Sequence, residues 1–283
     1  MKGLESIKCP LCGEADEKEL FYKDSWRIVH CSNCKLVYVN PRVNEEQSKK
    51  LYNQQSISPM EYYKENEEGD YKTFKKRLKI VEKYAKKGKM LDIGCNIGTF
   101  LKAAKESGWD CYGTDINKKV KNDCIKKGIK FYAKPLQKIK FKENFFDVVV
   151  MDDLIEHVHS PKSLLKEVVR ILKPGGLIFI VTPDVESVTF KVLKKRWHHL
   201  KPKEHIVYFS RVTIRRLLEI YDLKIVFMKN VGRCRKVGTI ITKAESLSKI
   251  ARLLKKIIPK RINEKIIPLN TLDELCIIAK KPV

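Results

Sequence analysis

Three groups of residues in this chain have types and spacings that could do chemistry. The first is a pair of Cys-x-x-Cys knuckles, Cys9-Pro10-Leu11-Cys12 and Cys31-Ser32-Asn33-Cys34, with 18 residues between them. Each knuckle can aim two thiolates at one point, so Cys9, Cys12, Cys31 and Cys34 together predict a tetrahedral zinc site. The second is Met90-Leu91-Asp92-Ile93-Gly94-Cys95-Asn96-Ile97-Gly98-Thr99-Phe100. Here an apolar run ends in an acid, two glycines flank a turn, and a helical pattern begins. Such a turn lets the backbone approach a nucleotide-like ligand closely. Asp115 closes the next apolar run, 21 residues after Gly94, where a carboxylate can accept hydrogen bonds from both ribose hydroxyls. The third group is the pair of histidines His157 and His205, each directly preceded by a glutamate. A histidine titrating near neutrality suits proton removal from an alcohol or phenol.

These groups need a scaffold, and the patterning supplies one. From Lys89 onward, short β-rich runs alternate with helical ones. Strands are expected near 89–93, 110–114, 128–132, 145–151 and 176–182, and helices near 98–107, 117–126, 161–172 and 211–221. Two further strands are expected at Leu223–Met228 and Glu274–Lys280. The alternation predicts an α/β fold with a doubly wound, mostly parallel sheet, whose ligands meet at the carboxyl ends of the strands where the order reverses. Residues 1–40 read as a small zinc ribbon that depends on its metal, being too short to bury a core. Residues 41–86 read as a helical linker and lid, with Phe74, Leu78, Val81 and Tyr84-Ala85 on one stripe. Residues 87–283 form the main domain, interrupted at 231–268 by a basic helical insertion. In it, Leu247, Ile250, Ala251, Leu254, Ile257 and Ile258 line one face and Lys249, Arg252, Lys255 and Lys256 crowd the other. Packing on the domain is the commoner fate of such a helix; peripheral contact with an anionic membrane surface is the sharper reading.

Several further segments sharpen the picture. They are Phe146-Asp147-Val148-Val149-Val150-Met151, Leu154-Ile155-Glu156-His157-Val158, Arg170-Ile171-Leu172-Lys173-Pro174-Gly175-Gly176-Leu177 and Thr182-Pro183-Asp184. They are followed by Trp197, Pro202, Glu204-His205 and Tyr208-Phe209-Ser210. Together with the glycine turn, and in this order, they resemble the class I S-adenosylmethionine-dependent methyltransferases over roughly residues 70–283. The last segment resembles a subgroup that acts on small molecules and often carries a preceding zinc ribbon. The resemblance implies a seven-stranded Rossmann-like sheet of order 3-2-1-4-5-7-6 with the seventh strand antiparallel. It implies S-adenosylmethionine as cofactor, held by Asp92, Gly94, Cys95, Asn96, Gly98 and Asp115. Asn96 stands where the family most often has a third glycine. No carboxylate follows the third strand, where the family often binds adenine, so backbone groups near Leu136 are expected to serve instead. Asp152, closing strand 4, is expected to line the cofactor or acceptor pocket. Asp153, Glu156 and His157, at i, i+3 and i+4, would share a helical face and resemble a segment that holds a divalent metal in some ubiquinone-pathway O-methyltransferases.

Composition bounds the reading. The net charge is +25, with lysines spread through most helices instead of gathered in one arm, so nucleic acid is the less favoured partner. The nine cysteines are an odd number and fit reduced thiols better than a disulfide framework. Cys95, Cys111, Cys124, Cys234 and Cys276 are expected in the core. No apolar stretch precedes Cys9 and none approaches the ~20 residues of a membrane span, so the expectation is a cytoplasmic protein. His159, His198 and His199 read as solvated.

The function expected on these grounds is methyl transfer to a small-molecule acceptor, most plausibly O-methylation of a sugar, glycan precursor or phenol. His157 is the leading base, with His205 beside it. An RNA-modifying methyltransferase and a sugar C-methyltransferase are the alternatives.

Overall fold

In the computed structural model, residues 3–53, 60–244 and 258–283 are described. The central sheet is built from β6 (Lys89–Ile93), β7 (Asp110–Thr114), β8 (Lys130–Tyr132), β9 (Phe146–Asp152), β10 (Leu172–Pro183), β12 (Lys224–Asn230) and β15 (Glu274–Lys280). Its order is β12-β15-β10-β9-β6-β7-β8. Counted within the sheet this is 3-2-1-4-5-7-6 read from the opposite edge, as the resemblance implies. The pairs β6–β7, β7–β8, β6–β9 and β9–β10 are parallel, while β15 runs antiparallel to both β10 and β12. The central strands are apolar on both faces: Val148 to Met151 and Ile178 to Val181 are wholly buried. That is what a sheet covered by helices on either side requires.

The helices are α1 (Glu45–Asn53), α2 (Met60–Val81), α3 (Thr99–Glu106), α4 (Lys121–Lys126), α5 (Pro161–Ile171), α6 (Val188–Leu193), α7 (Arg211–Glu219), α8 (Val237–Ala244) and α9 (Lys260–Asn263). Their starts are written locally. The Ser160 hydroxyl caps α5 ahead of Pro161, and Ser210 with Thr213 forms a reciprocal capping box on α7. In α2, Leu78 and Val81 are buried on one core cluster with Phe74 packed beside them; Ala85, beyond the helix, packs there too, but Tyr84 is exposed.

The amino-terminal strands β1 (Leu4–Glu5), β2 (Glu17–Lys23), β3 (Trp26–Cys31), β4 (Val37–Val39) and β5 (Arg42–Val43) carry the two cysteine knuckles. β1 and β5 pair with each other, and the sheet that β2, β3 and β4 form is completed from elsewhere in the chain. Its order is β11-β4-β3-β2, and β11 (Val207–Tyr208) comes from the segment after β10. Ile28, Val37 and Val39 bury themselves with Trp197, Leu200 and Tyr208 in one cluster. A segment too small for its own core thus borrows one.

Within the insertion, β13 (Arg233–Lys236) and β14 (Ile266–Leu269) pair antiparallel. The basic amphipathic stripe beginning at Leu247 lies outside the described residues apart from Ile258. All five scattered cysteines are buried. No helix among the described residues is long and apolar enough to cross a membrane.

Candidate active site

Between β6 and α3 the backbone turns through three left-handed residues, Gly94 (φ 75°), Asn96 (φ 48°) and Gly98 (φ 75°). At Gly98 the positive φ favours glycine, and a Cβ there would also have to displace the end of the Ile129 side chain, 2.5 Å away. Asn96 tolerates the left-handed region because asparagine can bond locally: its Oδ1 accepts the Ile97 N–H at 2.7 Å. Asp115 then fastens the turn to β7. Its Oδ2 accepts the Asn96 N–H at 2.9 Å and its Oδ1 the Asn117 N–H at 2.8 Å. Burial raises the Asp115 carboxyl, opposed by those backbone N–H groups.

The turn forms one wall of a cavity of about 470 Å³. Gly94, Asn96, Asp115 and Leu136 line it, and so do Asp153, Leu154 and His157 from the end of β9. Glu45, Ser48 and Lys49 of α1 and Tyr63 of α2 also line it. Asp92, Cys95 and Gly98 stand behind the wall, not on it. Asp92 is buried, and burial followed by the charges of Asp152 and Asp115 pushes its carboxyl well up. Cys95 packs its sulfur beneath the turn, against Gly113 and Cys124.

Asp152 is likewise absent from the cavity wall, contrary to the sequence expectation. Its Oδ1 accepts Arg77 Nη1 at 2.5 Å, and Arg77 Nη2 donates to Glu274 Oε2 at 2.6 Å. Arg233 adds a second clamp, donating to both Asp153 oxygens at 2.6 Å and, through Nε, to Glu274 Oε1. Burial pushes Asp152 up to about 6 against the pull of Arg77. Burial would raise Asp153 too, yet Arg233 and Arg77 hold it well below the usual carboxylate range. Periodicity passed over this network because Arg77 sits on the apolar stripe of α2, beside Leu78; a fully buried arginine there was the only signal.

The expected helical face of Asp153, Glu156 and His157 does not form. Asp153 leaves β9 in the left-handed region (φ 52°), and only one 3-10 turn, Ile155–His157, follows. Asp153 therefore turns to Arg233. Glu156, His157 and His205 are the residues that converge, with ligand-type atoms all within 4.8 Å of one another. The rings of His157 and His205 meet edge to face, 4.6 Å between centroids. Glu156 is buried, and its Oε2 accepts the Thr182 hydroxyl at 3.0 Å. Burial, reinforced by Asp153, pushes the Glu156 carboxyl well up. His157 donates Nδ1–H to the Glu204 carbonyl at 2.9 Å, which leaves the lone pair of the neutral ring on Nε2. Burial lowers His157 to about 4, with Lys201 adding to the shift and Asp153 opposing it; burial and then His157 drive His205 further down. Burial therefore favours the neutral form of both rings. His205 does not reach the cavity wall and contacts it through His157.

Of the histidines expected in solvent, only His198 is exposed. His159 lines the cavity and donates Nε2–H to the Val43 carbonyl at 2.9 Å, while Arg42 Nη1 donates to the His159 carbonyl at 3.0 Å. The ribbon's last strand is thereby tied to the cavity wall. His199 is mostly buried beside Asp273 and Glu274.

At the far end of the ribbon, Cys9, Cys12, Cys31 and Cys34 bring their sulfurs within 4.8 Å of one another. The Cys9–Cys34 separation is 3.4 Å and the Cys12–Cys31 separation 3.5 Å. Thiolates about 2.3 Å from a tetrahedral ion lie about 3.8 Å apart, so the set fits a metal with little adjustment. Both knuckles close alike: Gly13 N–H donates to Cys9 O at 2.9 Å and Lys35 N–H to Cys31 O at 3.0 Å, each from the left-handed region. Burial raises the Cys9 thiol strongly and pushes Cys34 up to about 11, and a bound dication would reverse both.

Sheet order, glycine turn and cavity define a class I S-adenosylmethionine-dependent methyltransferase fold. A family model described as "Methyltransferase domain" matches residues 63–227, and the chain belongs to that family. Norajmaline N-methyltransferase of Rauvolfia serpentina is 30% identical over 125 residues, 38% of this chain and 43% of that protein. Ubiquinone biosynthesis O-methyltransferase of Aliivibrio fischeri is 28% identical over 114 residues, 37% and 49% respectively. The chain spans about half the length of the curated relatives it matches. A SAM-dependent methyltransferase structure from Archaeoglobus fulgidus superposes with a TM-score of 0.55 at 23% identity, covering 78% of this chain and 99% of the other. The 1,6-didemethyltoxoflavin-N1-methyltransferase of Burkholderia thailandensis, solved with that compound and S-adenosylhomocysteine, gives 0.57 at 12% identity, covering 94% of this chain and 100% of the other.

Proposed function

We propose that the protein transfers a methyl group from S-adenosylmethionine to a small-molecule acceptor, an O-methylation of a sugar, glycan precursor or phenol, and that a zinc ion in the four-cysteine site holds the ribbon together. The observation that carries the reading is the placement of Asp115 with Gly94 and Asn96 of the glycine turn on one wall of a cavity that His157 also lines. Asp115 presents a carboxylate already oriented by two backbone N–H groups, suited to a ribose diol. Leu136, also on the wall, follows Pro135, and its backbone is the group offered to an adenine edge.

The donor brings an activated methyl group, so the protein's task is alignment and proton removal. Alignment alone is worth about 7–11 kcal/mol in well-oriented reactions. The acceptor oxygen forms its bond to carbon as the carbon–sulfur bond breaks, and its proton passes to Nε2 of His157. The Glu204 carbonyl fixes the ring's tautomer through Nδ1–H, and His205 packs behind it. The toxoflavin-precursor and norajmaline methyltransferases act on small molecules, which supports an acceptor of that size.

The test is calorimetric titration of the zinc-loaded protein with S-adenosylmethionine and S-adenosylhomocysteine, beside Asp115→Ala. Micromolar binding that the substitution removes is expected, and it justifies an acceptor screen with oxygen or carbon methylation told apart by product NMR. Absence of binding by the unsubstituted protein would overturn the proposal.

A further inference from the structure

Beyond the cavity and the ribbon, a second cluster of ligating side chains lies where the loop after α6 meets the start of β15. His198 Nδ1 stands 3.8 Å from Asp273 Oδ2, and His199 Nε2 stands 3.9 Å from Asp273 Oδ1 and 3.8 Å from Glu274 Oε1. The two imidazoles lie 4.0 Å apart between centroids. One nitrogen of each and an Asp273 oxygen fall within 4.8 Å of one another.

We propose that His198, His199, Asp273 and Glu274 form a binding site for a divalent transition-metal ion. The separations exceed normal N–H···O hydrogen bonds. Donor atoms bound about 2.1 Å from one ion lie about 3.0–3.4 Å apart, so the His198–Asp273, His199–Asp273 and His199–Glu274 pairs would close by roughly half an ångström, and Glu274 would have to move further to join the other three.

The carboxylate of Asp273 is held ready for this. It is fully buried, Trp197 Nε1–H donates to Oδ2 at 2.8 Å, and the Thr271 hydroxyl donates to Oδ1. Such outer contacts fix a ligand's orientation while leaving each oxygen a further lone pair.

Charge points the same way. Among the described residues Asp152, Asp153 and Glu274 share the guanidinium groups of Arg77 and Arg233, while Asp273 faces His198 and His199. Asp273 has no guanidinium partner among the described residues, so a cation on its imidazole side would meet an unneutralised carboxylate. Two imidazoles with two carboxylates suit zinc, cobalt or nickel better than magnesium or calcium, which prefer oxygen ligands throughout. Arg233 joins the site to the cavity, since it holds both Glu274 and the cavity-lining Asp153.

The test is metal content of the full chain, loaded with zinc and dialysed against metal-free buffer. Two equivalents per chain are expected, falling to one in His198→Ala and in His199→Gln, and to one in Cys9→Ser. His198 is exposed, so its removal leaves the core intact. With cobalt, the equivalent that survives His198→Ala should show strong thiolate charge-transfer absorption, and the one it removes should not. A single zinc in the unsubstituted protein would overturn the proposal, leaving a histidine–carboxylate ion pair. So would a second equivalent that survives both histidine substitutions and disappears in Glu156→Gln.

Discussion

Val207 is the antiparallel partner of Tyr38, so a strand of the ribbon's sheet is supplied by the segment that also carries His205. Ile206 sits between the two systems, its N–H donating to the Glu156 carbonyl at 3.0 Å and its carbonyl accepting Val39 N–H at 3.0 Å. The ribbon is therefore tied to the two segments that carry Glu156 and His205.

Stripping the zinc proposed for the four cysteines should consequently affect more than residues 1–40. Chelation, or Cys9→Ser with Cys31→Ser, is expected to lower the melting temperature and to weaken S-adenosylhomocysteine binding at least several-fold. The route is Arg42, His159 and α1, which connect the last ribbon strand to the cavity. Matched calorimetry and thermal melts check this; unchanged affinity in a demetallated, folded protein would show the ribbon to be only an attachment.

The glycine turn offers a paired test. Gly98→Ala introduces a Cβ 2.5 Å from Ile129 at φ +75°, and should cost about 1–3 kcal/mol with a marked loss of cofactor affinity. Asn96→Gly keeps the left-handed backbone and loses only the short bond to Ile97, so its effect should stay within about 1 kcal/mol. Urea denaturation of both variants gives the comparison.

His157 makes a signed prediction about pH. Its folded value is depressed to about 4 from an ordinary 6.5, so the unfolded chain binds the extra proton first as pH falls. The cost of keeping the ring neutral is absent above pH 6.5 and grows as pH drops toward 4, reaching about 3 kcal/mol. Asp152, raised to about 6, acts with opposite sign over much of that range, so the total curve conceals the effect. The stability difference between the unsubstituted protein and His157→Gln should isolate it, rising by about 3 kcal/mol from pH 4 to 6.5. Methyl transfer should also hold its rate down to about pH 5 as far as this base is concerned.

Arg77 is wholly buried between Asp152 and Glu274. Arg77→Met strands Asp152 and leaves Glu274 to Arg233 alone, and should cost about 3–5 kcal/mol, while adding Asp152→Asn and Glu274→Gln should recover part of it. Thermal denaturation of the single and triple variants checks the sign of the recovery.

Local order along the chain was enough to define the sheet. Runs such as Val148-Val149-Val150-Met151 and Ile178-Phe179-Ile180-Val181 are strands in any packing that buries them, and the Gly94–Gly98 turn forms where the glycines stand because backbone geometry is a local property. The two knuckles were equally plain, since ligand spacing within a turn is set by the turn itself. What the tertiary structure decided is which side chains meet. Asp153 faces Arg233, 80 residues away, because its left-handed backbone ends the strand, and periodicity cannot foresee that. Glu156, His157 and His205 converge only because β11 joins the ribbon sheet, and His199 reaches Asp273 and Glu274 only once β15 enters the sheet antiparallel. Contacts of that kind depend on long-range pairing, and the buried charges they create take their protonation from burial and from partners that are distant in the chain.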